Sequence, residues 1–464
     1  MQSEKGASVT AELLKKYDRP GPRYTSYPTA VEFTESFTGE TYRQKLLEAG
    51  KRREDPLSLY VHLPFCRDRC TFCGCNVIIS PHHEVSEKYL DYLAREIALA
   101  AEHMPHRRRV SQMHWGGGTP TYQTSGEIKS LFEKITSHFE LLPDGEVGIE
   151  VDPRVTTNEQ IDTLVGLGFN RLSLGVQDFN LEVQQAVNRI QSESLTHELV
   201  EYSRSAGFSS VNIDLIYGLP FQTPESFSDT LDSIISLRPD RVAVYNFAHV
   251  PWIKGNQKRI DPRTLPSPEV KFALLAGTME HFTQAGYVQI GMDHFSLPAD
   301  ELARAQAKRT LGRNFMGYTV KAAPDMLGFG VSAIGDVEDS FAQNVKKLSL
   351  YYNAIESGRF PIERGYELDG DDKLRRHVIN NLMCNFYLDV AETEAKFQIR
   401  FKEYFGSELL ELASHEANGF VRVAPDSIRV TPSGRFLVRN LCMVFDRYMK
   451  QKRQTDKPVF SRTV

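Results

Sequence analysis

From residue 56 onward, short runs of β-branched or alternating apolar residues are followed by stretches with helical spacing, again and again along the chain. The pattern predicts strands over 57–63, 110–115, 147–151, 171–174, 211–216, 241–246 and 287–290. Between the first two, SEKYLDYLAREIALAAEHM sets Leu90, Leu93, Ile97, Ala101 and Met104 on one face of a helix. Other helices carry start signals. Thr157 with Gln160 forms a capping box, and Thr223-Pro224 and Ser267-Pro268 each place a hydroxyl cap before a proline at the first helical position. Repeated βα units imply a parallel sheet with right-handed crossovers. This many in succession predicts an α/β fold, a full or partial (β/α) barrel with its site at the C-terminal ends of the strands.

After about residue 365 the texture changes. DDKLRRHVINNLMCNF and later segments have helical spacing and precede the hairpin-like GFVRVAPDSIRVTPSG, which predicts a small α+β, winged-helix-like domain. The expected division is an N-terminal extension over 1–55, in reach of a substrate, a partial barrel over 56–364 and the C-terminal domain over 365–464. A length of 464 residues suits this division, and 41% hydrophobic with 25% charged residues excludes disordered and fibrous classes. With 55 Lys and Arg against 60 Asp and Glu, the formal charge is −5, which gives no reason to expect nucleic acid or a membrane surface as partner. A substrate-lid or packing role for the C-terminal domain therefore fits better than DNA binding. The N-terminal MQSEKGASVTAELLKKYDRP has no apolar signal core, and no apolar run reaches 18 residues. Cytoplasm is the expected compartment.

Four of the six cysteines crowd into CRDRCTFCGCN, directly after the first predicted strand, which suits ligation in a reducing compartment better than cross-linking. Cys66, Cys70 and Cys73, spaced C-x3-C-x2-C, can direct three thiolates at one compact cluster. A cube of four irons held this way keeps one iron without a protein ligand, open to a small molecule. Zinc is the principal alternative, although structural zinc usually takes ligand pairs from separated segments. Buried apolar thiols are a further one, disfavoured by Arg67, Asp68 and Arg69 in the loop.

This spacing on a first strand resembles the radical S-adenosylmethionine (AdoMet) superfamily. Within it, YVHLPFCRDRCTFCGCN, HWGGGTPTY, IEVDPR, GFNRLSLGVQDFN, NIDLIYGLP and GMDHF are similar to the oxygen-independent coproporphyrinogen III dehydrogenases and their close relatives. GPRYTSYPTA, the fourth cysteine and NFMGYT resemble the dehydrogenases themselves. The resemblance implies one 4Fe-4S cluster and two AdoMet molecules. It also implies conversion of two propionates of coproporphyrinogen III to vinyls, with an unidentified one-electron reductant and electron acceptor. Hydrogen abstraction at the propionate β-carbon followed by loss of CO2 and one electron forms each double bond, so no general base is needed at that carbon.

Carried over position by position, the resemblance implies that Cys66, Cys70 and Cys73 hold the cluster. Tyr60, Gly117, Glu150 and Ile334 match positions around the cluster-bound AdoMet, and Phe72, Gly118, Thr119, Gln177, Arg189, Asp214 and Ala248 match positions around a second one. By themselves these residues say less: a triglycine is commonly a turn, Glu150 and Asp214 read equally as structural acids, and Arg189 as a solvated helical charge. Cys75 is expected to act near the substrate or second AdoMet, the alternative being a small thiol packed beneath the loop. For the substrate, Arg19, Arg23, Tyr24, Tyr27 and Arg313 are candidate contacts, while HRRR at 106–109 reads as a solvated helix end. Two other functions stay open: a haem chaperone of the same fold, and another radical AdoMet enzyme such as a methyltransferase. A monomer is expected.

Overall fold

A strand covered by helices on one side and by a barrel interior on the other is buried almost throughout, and the run LSLYVHL is. In the computed structural model, which describes residues 17–452, 460, 462 and 463, this run forms β1 (Leu57–Leu63). It is followed by β2 (Arg109–Gly117), β3 (Glu140–Val151), β4 (Arg171–Gln177), β5 (Ser210–Tyr217) and β6 (Arg241–Asn246). These six lie side by side, each parallel to the next. Residues 1–16 of the expected N-terminal extension lie outside the described residues.

The helices between them form where the sequence signals place them. Glu84–His103 buries Leu90, Leu93, Ile97 and Ala101, and Met104 is buried just past its end. Thr157 accepts from the Gln160 N–H, Thr223 from that of Ser226 and Ser267 from that of Val270. Each cap satisfies an N–H that the first helical turn leaves without a partner.

Beyond β6 the alternation stops. The segment expected as a further βα strand is instead β7 (Val288–Ile290), which turns back through β8 (His294–Ser296) antiparallel onto β6. The reason is local: GMD gives a short reversal with Gly291 at φ 55°, and no crossover helix intervenes. The chain then returns to the other edge of β1 as β9 (Asp325–Phe329), parallel to it, and continues antiparallel through β10 (Ile334–Asp336), β11 (Ser340–Asn344) and β12 (Ile362–Glu367). The sheet runs β12-β11-β10-β9-β1-β2-β3-β4-β5-β6-β8-β7 and does not close. This is the partial barrel.

After residue 368 the helices Gly370–Asn385, Val390–Phe397 and Gly406–Ala417 precede a hairpin of Val421–Val423 and Ser427–Val430, whose second strand also pairs with Tyr387–Asp389. The result is the winged-helix-like α+β unit. Its separate apolar core takes in Tyr24 and Tyr27 from the N-terminal segment. The Tyr24 hydroxyl donates to Asp446 at 2.9 Å, and the Tyr27 hydroxyl accepts the Arg447 N–H. Arg23 donates to the Asn246 carbonyl, Arg313 donates to the carbonyls of Arg23 and Tyr24, and the Arg19 backbone pairs with Thr463. Tyr24, Tyr27 and Arg313 thus fasten the N-terminal segment between barrel and C-terminal domain, which corrects their reading as substrate contacts.

The HRRR reading is corrected at Arg107, while His106 and Arg109 are exposed. Arg107 is fully buried, bonded to the carbonyls of Ala49, Asp55 and Pro56 and paired with Asp325 at 2.5 Å. The charge closes the bottom of β1 against β9. Among the described residues no helix is long and apolar enough to cross a membrane.

Candidate active site

The cysteine loop after β1 and the C-terminal ends of β2 to β6 line a cavity of ≈ 720 Å³. Strand register orders the residues on this side of the sheet. Tyr60 pairs with His114 across β1 and β2, Glu150 with Ser173 and Ser173 with Asn212 across β3 to β5, and Gly175 with Asp214. Because side chains alternate, these residues occupy one face of the sheet, the barrel interior.

The cysteine loop leaves β1 and covers the mouth of this cavity. Cys66, Cys70, Cys73 and Cys75 all line it. Asn256 fixes the loop by donating to the carbonyls of Cys70, Thr71 and Cys73 at 2.9–3.2 Å, and Gln257 bridges the carbonyls of Phe72 and Ala248. Cys66 Sγ lies 3.4 Å from the Thr119 hydroxyl, and burial pushes its thiol up to about 12. Cys73 is held down to about 6, chiefly by its contact with the Cys75 side chain. The guanidinium groups of Arg154 and Arg189 stand 3.9 and 3.8 Å from Cys70 Sγ. Three thiols converging on one space, with cations beside them, fit a thiolate-held metal cluster with net negative charge.

Each glycine of the triglycine is required by a neighbour. A Cβ on Gly116 would stand 2.9 Å from the Glu150 carboxylate, one on Gly117 2.4 Å from the His62 ring, and one on Gly118 2.6 Å from the Pro64 carbonyl. Gly117 also has φ 112°, a conformation other residues rarely adopt. Its N–H donates to Glu150 at 3.0 Å. Burial works against the Glu150 charge, but His114 and this N–H hold its pKa below the usual value. Among the described residues Asp214 forms no ion pair. It accepts from Asn212 at 2.9 Å and Ser173 at 3.2 Å, and burial, reinforced by Glu150, raises it to about 6. Two acids in one cavity are thereby set apart in proton affinity.

Arg189 is buried, not solvated. It pairs with Asp152 at 3.0 Å, donates to the Gly175 carbonyl and keeps its Nε without a partner. Gln177 lines the cavity where β4 breaks register, at a left-handed φ of 73°. Phe72, Gly118 and Thr119 line it as well. Tyr60, Ala248 and Ile334 do not. Tyr60 sits one layer below, bonded to His62 at 3.0 Å and stacked on His114. The Ala248 carbonyl is tied through Gln257 to the loop, and Ile334 lies behind Gly328, the strand partner of Tyr60. Cys75 is exposed and lines the cavity.

Among the cavity residues that escape the sequence reading, Asp152 and Arg154 carry charge. Asp152 holds both arginines, Arg154 at 2.7 Å, and their charges keep its pKa low despite burial. A signal for it exists in the chain, since Asp152 follows Glu150 by two positions along one strand edge.

Sequence comparison bears on the whole chain. The Radical SAM superfamily profile matches residues 60–234, and the HemN C-terminal domain profile residues 368–437. The oxygen-independent coproporphyrinogen III oxidase of Synechocystis sp. is 46% identical over 459 residues, covering 98% of each chain. That of Escherichia coli K12 is 47% identical over 452 residues, covering 97% of this chain and 98% of its own. The chain belongs to the oxygen-independent coproporphyrinogen III oxidase family. Among solved structures, the family's coproporphyrinogen III oxidase (HemN) from Escherichia coli, described as a radical SAM enzyme, superposes with a TM-score of 0.90. It is 46% identical and covers 96% of this chain and 100% of that one.

Proposed function

We propose that this protein is a radical AdoMet oxidoreductase of haem biosynthesis. It oxidatively decarboxylates two propionate side chains of coproporphyrinogen III to vinyls, giving protoporphyrinogen IX without oxygen. The observation that carries the reading is the convergence of the C-x3-C-x2-C thiols with Glu150 and Asp214 in one cavity at the strand ends, in a chain matched end to end by enzymes of that name.

Cys66, Cys70 and Cys73 would hold a 4Fe-4S cluster. Bound there with AdoMet, it supplies one-electron cleavage and, from it, hydrogen abstraction at an unactivated carbon. Everything else falls to the chain's own side chains. Gly117 and Glu150 would receive the cluster-bound AdoMet, with Tyr60 and Ile334 supporting that wall from behind. Phe72, Gly118, Thr119, Gln177, Arg189 and Asp214 would surround a second AdoMet, with Ala248 fixing the loop that carries Phe72. Asp214 suits a ribose hydroxyl, because a carboxylate with only two weak donors gains from a third hydrogen bond. Arg189, oriented by Asp152 and the Gly175 carbonyl, suits an anionic group. Cys75, facing the same space, would position the reacting group or assist hydrogen or electron transfer.

The protein would act as a cytoplasmic monomer, with a separate one-electron reductant and acceptor and without nucleic acid or membrane. Cleavage of AdoMet by the reduced, reconstituted protein tests the reading. Coproporphyrinogen III should raise 5′-deoxyadenosine formation well above the substrate-free rate. The same rate with and without it would refute the substrate.

A further inference from the structure

Beside the main cavity, past the ends of β5 and β6, lies a second one of ≈ 290 Å³. Phe247, His249, Trp252, Leu265, Lys271 and Arg462 are among its walls, and no carboxylate lines it among the described residues. Three observations mark it as a place for an anion. The Lys271 ammonium has no ion pair or hydrogen bond among the described residues, although the residue is partly buried, and burial lowers it below the usual lysine value while the Asp18 charge pulls the other way. It sits in the first turns of the helix Pro268–Gln284, where the helix dipole disfavours a cation. Finally, His249 Nε2, which donates when it carries a proton, is buried without a partner, a state that native interiors avoid. Gly218 makes room for the lysine, since a Cβ there would stand 2.7 Å from Lys271 Cε. The remaining walls are apolar and aromatic, and Trp252 is 59% exposed. Phe72 of the cysteine loop packs against the same cluster as Phe247, which joins this cavity to the cofactor cavity.

Resting on the reaction proposed above, we propose that this side cavity receives one propionate-bearing pyrrole ring of the substrate. Lys271 takes the carboxylate with Arg462 beside it, and Phe247 and Trp252 flank the ring. Arg462 is already paired with Asp18 at 2.6 Å, so Lys271 supplies the charge still free to bind. The volume suits a ring with its side chain rather than a whole tetrapyrrole, most of which would extend toward the cysteine loop.

Lys271→Met and Lys271→Arg in the reconstituted protein test this, with fluorescence titration of coproporphyrin III and of its tetramethyl ester beside turnover of coproporphyrinogen III. Lys271→Met should weaken coproporphyrin III binding and raise KM by about 10- to 100-fold, the effect of losing one charge-assisted hydrogen bond. Binding of the ester should not change, nor should iron content, thermal midpoint or substrate-free AdoMet cleavage, and Lys271→Arg should restore most of the affinity. Unchanged coproporphyrin affinity and KM in Lys271→Met would overturn the inference and leave the reaction standing. Lys271-dependent binding in a wild-type protein that forms no vinyl product would overturn the reaction and keep the cavity. Equal loss of acid and ester binding would assign Lys271 a structural role and overturn the inference too.

Discussion

Asp214→Asn should make the protein more stable and less active at once. In the native chain the Asp214 carboxyl has its pKa raised from 3.8 to about 6 by burial and by Glu150. A rise of that size corresponds to ~3 kcal/mol against the charged native state. The sign follows from linkage: the folded form binds its proton more tightly than the unfolded form, so the penalty is absent well below 3.8, grows as pH rises and is complete above about 6. It amounts to ~3 kcal/mol at pH 8 and about half that at pH 5. Asparagine keeps the shape and removes the charge, but turns an NH2 toward either Asn212 or Ser173, which costs about 1 kcal/mol. The net gain is ~2 kcal/mol at pH 8 and less than about 1 kcal/mol at pH 5. Thermal melts at both pH values, without added AdoMet, should show a rise of a few degrees at pH 8 that shrinks at pH 5. Turnover should fall about 10- to 100-fold with iron content intact. A rise equal at both pH values, or normal turnover across AdoMet concentrations, would refute the reasoning.

Cys66→Ala, Cys70→Ala or Cys73→Ala should abolish the cluster chromophore and AdoMet cleavage, as read by iron content and chromatography, because a methyl group cannot ligate iron. Cys75→Ser should keep about four irons per chain while vinyl product collapses, and near-normal product would remove Cys75 from the chemistry. Arg107→Met should cost ~3–5 kcal/mol, since it leaves Asp325 buried with only the half-exposed Arg52 as cation. A thermal midpoint unchanged in that variant would contradict the placement of this charge.

The six strands β1 to β6 are legible in the sequence because burial on both faces writes itself as unbroken apolar or strictly alternating runs, and the helices because their caps are spelled out in Thr157, Thr223 and Ser267. By contrast β10, with the sequence IGD, carries no such pattern. Its pairing is set by the chain returning to β1, a tertiary fact. Within the site, spacing alone singles out Cys66, Cys70 and Cys73 as candidate metal ligands, because one short loop carries all three. Arg189 reads as a helix-surface charge because its partners, Asp152 and the Gly175 carbonyl, are distant in sequence. Lys271 and Arg107 are hidden for the same reason: sequence shows a basic residue but not whether water, an acid or nothing faces it. Tyr24 and Tyr27 illustrate the converse, aromatic residues in an extended arm that fill a core some 400 residues away.

The most direct test of the account is anaerobic incubation of the reconstituted protein with AdoMet, a low-potential reductant, an electron acceptor and coproporphyrinogen III, followed by chromatography of the tetrapyrroles. Protoporphyrinogen IX should form, with two carbon dioxides released and two AdoMet cleaved for each molecule. Unaltered coproporphyrinogen III in a reaction where AdoMet is cleaved would contradict it.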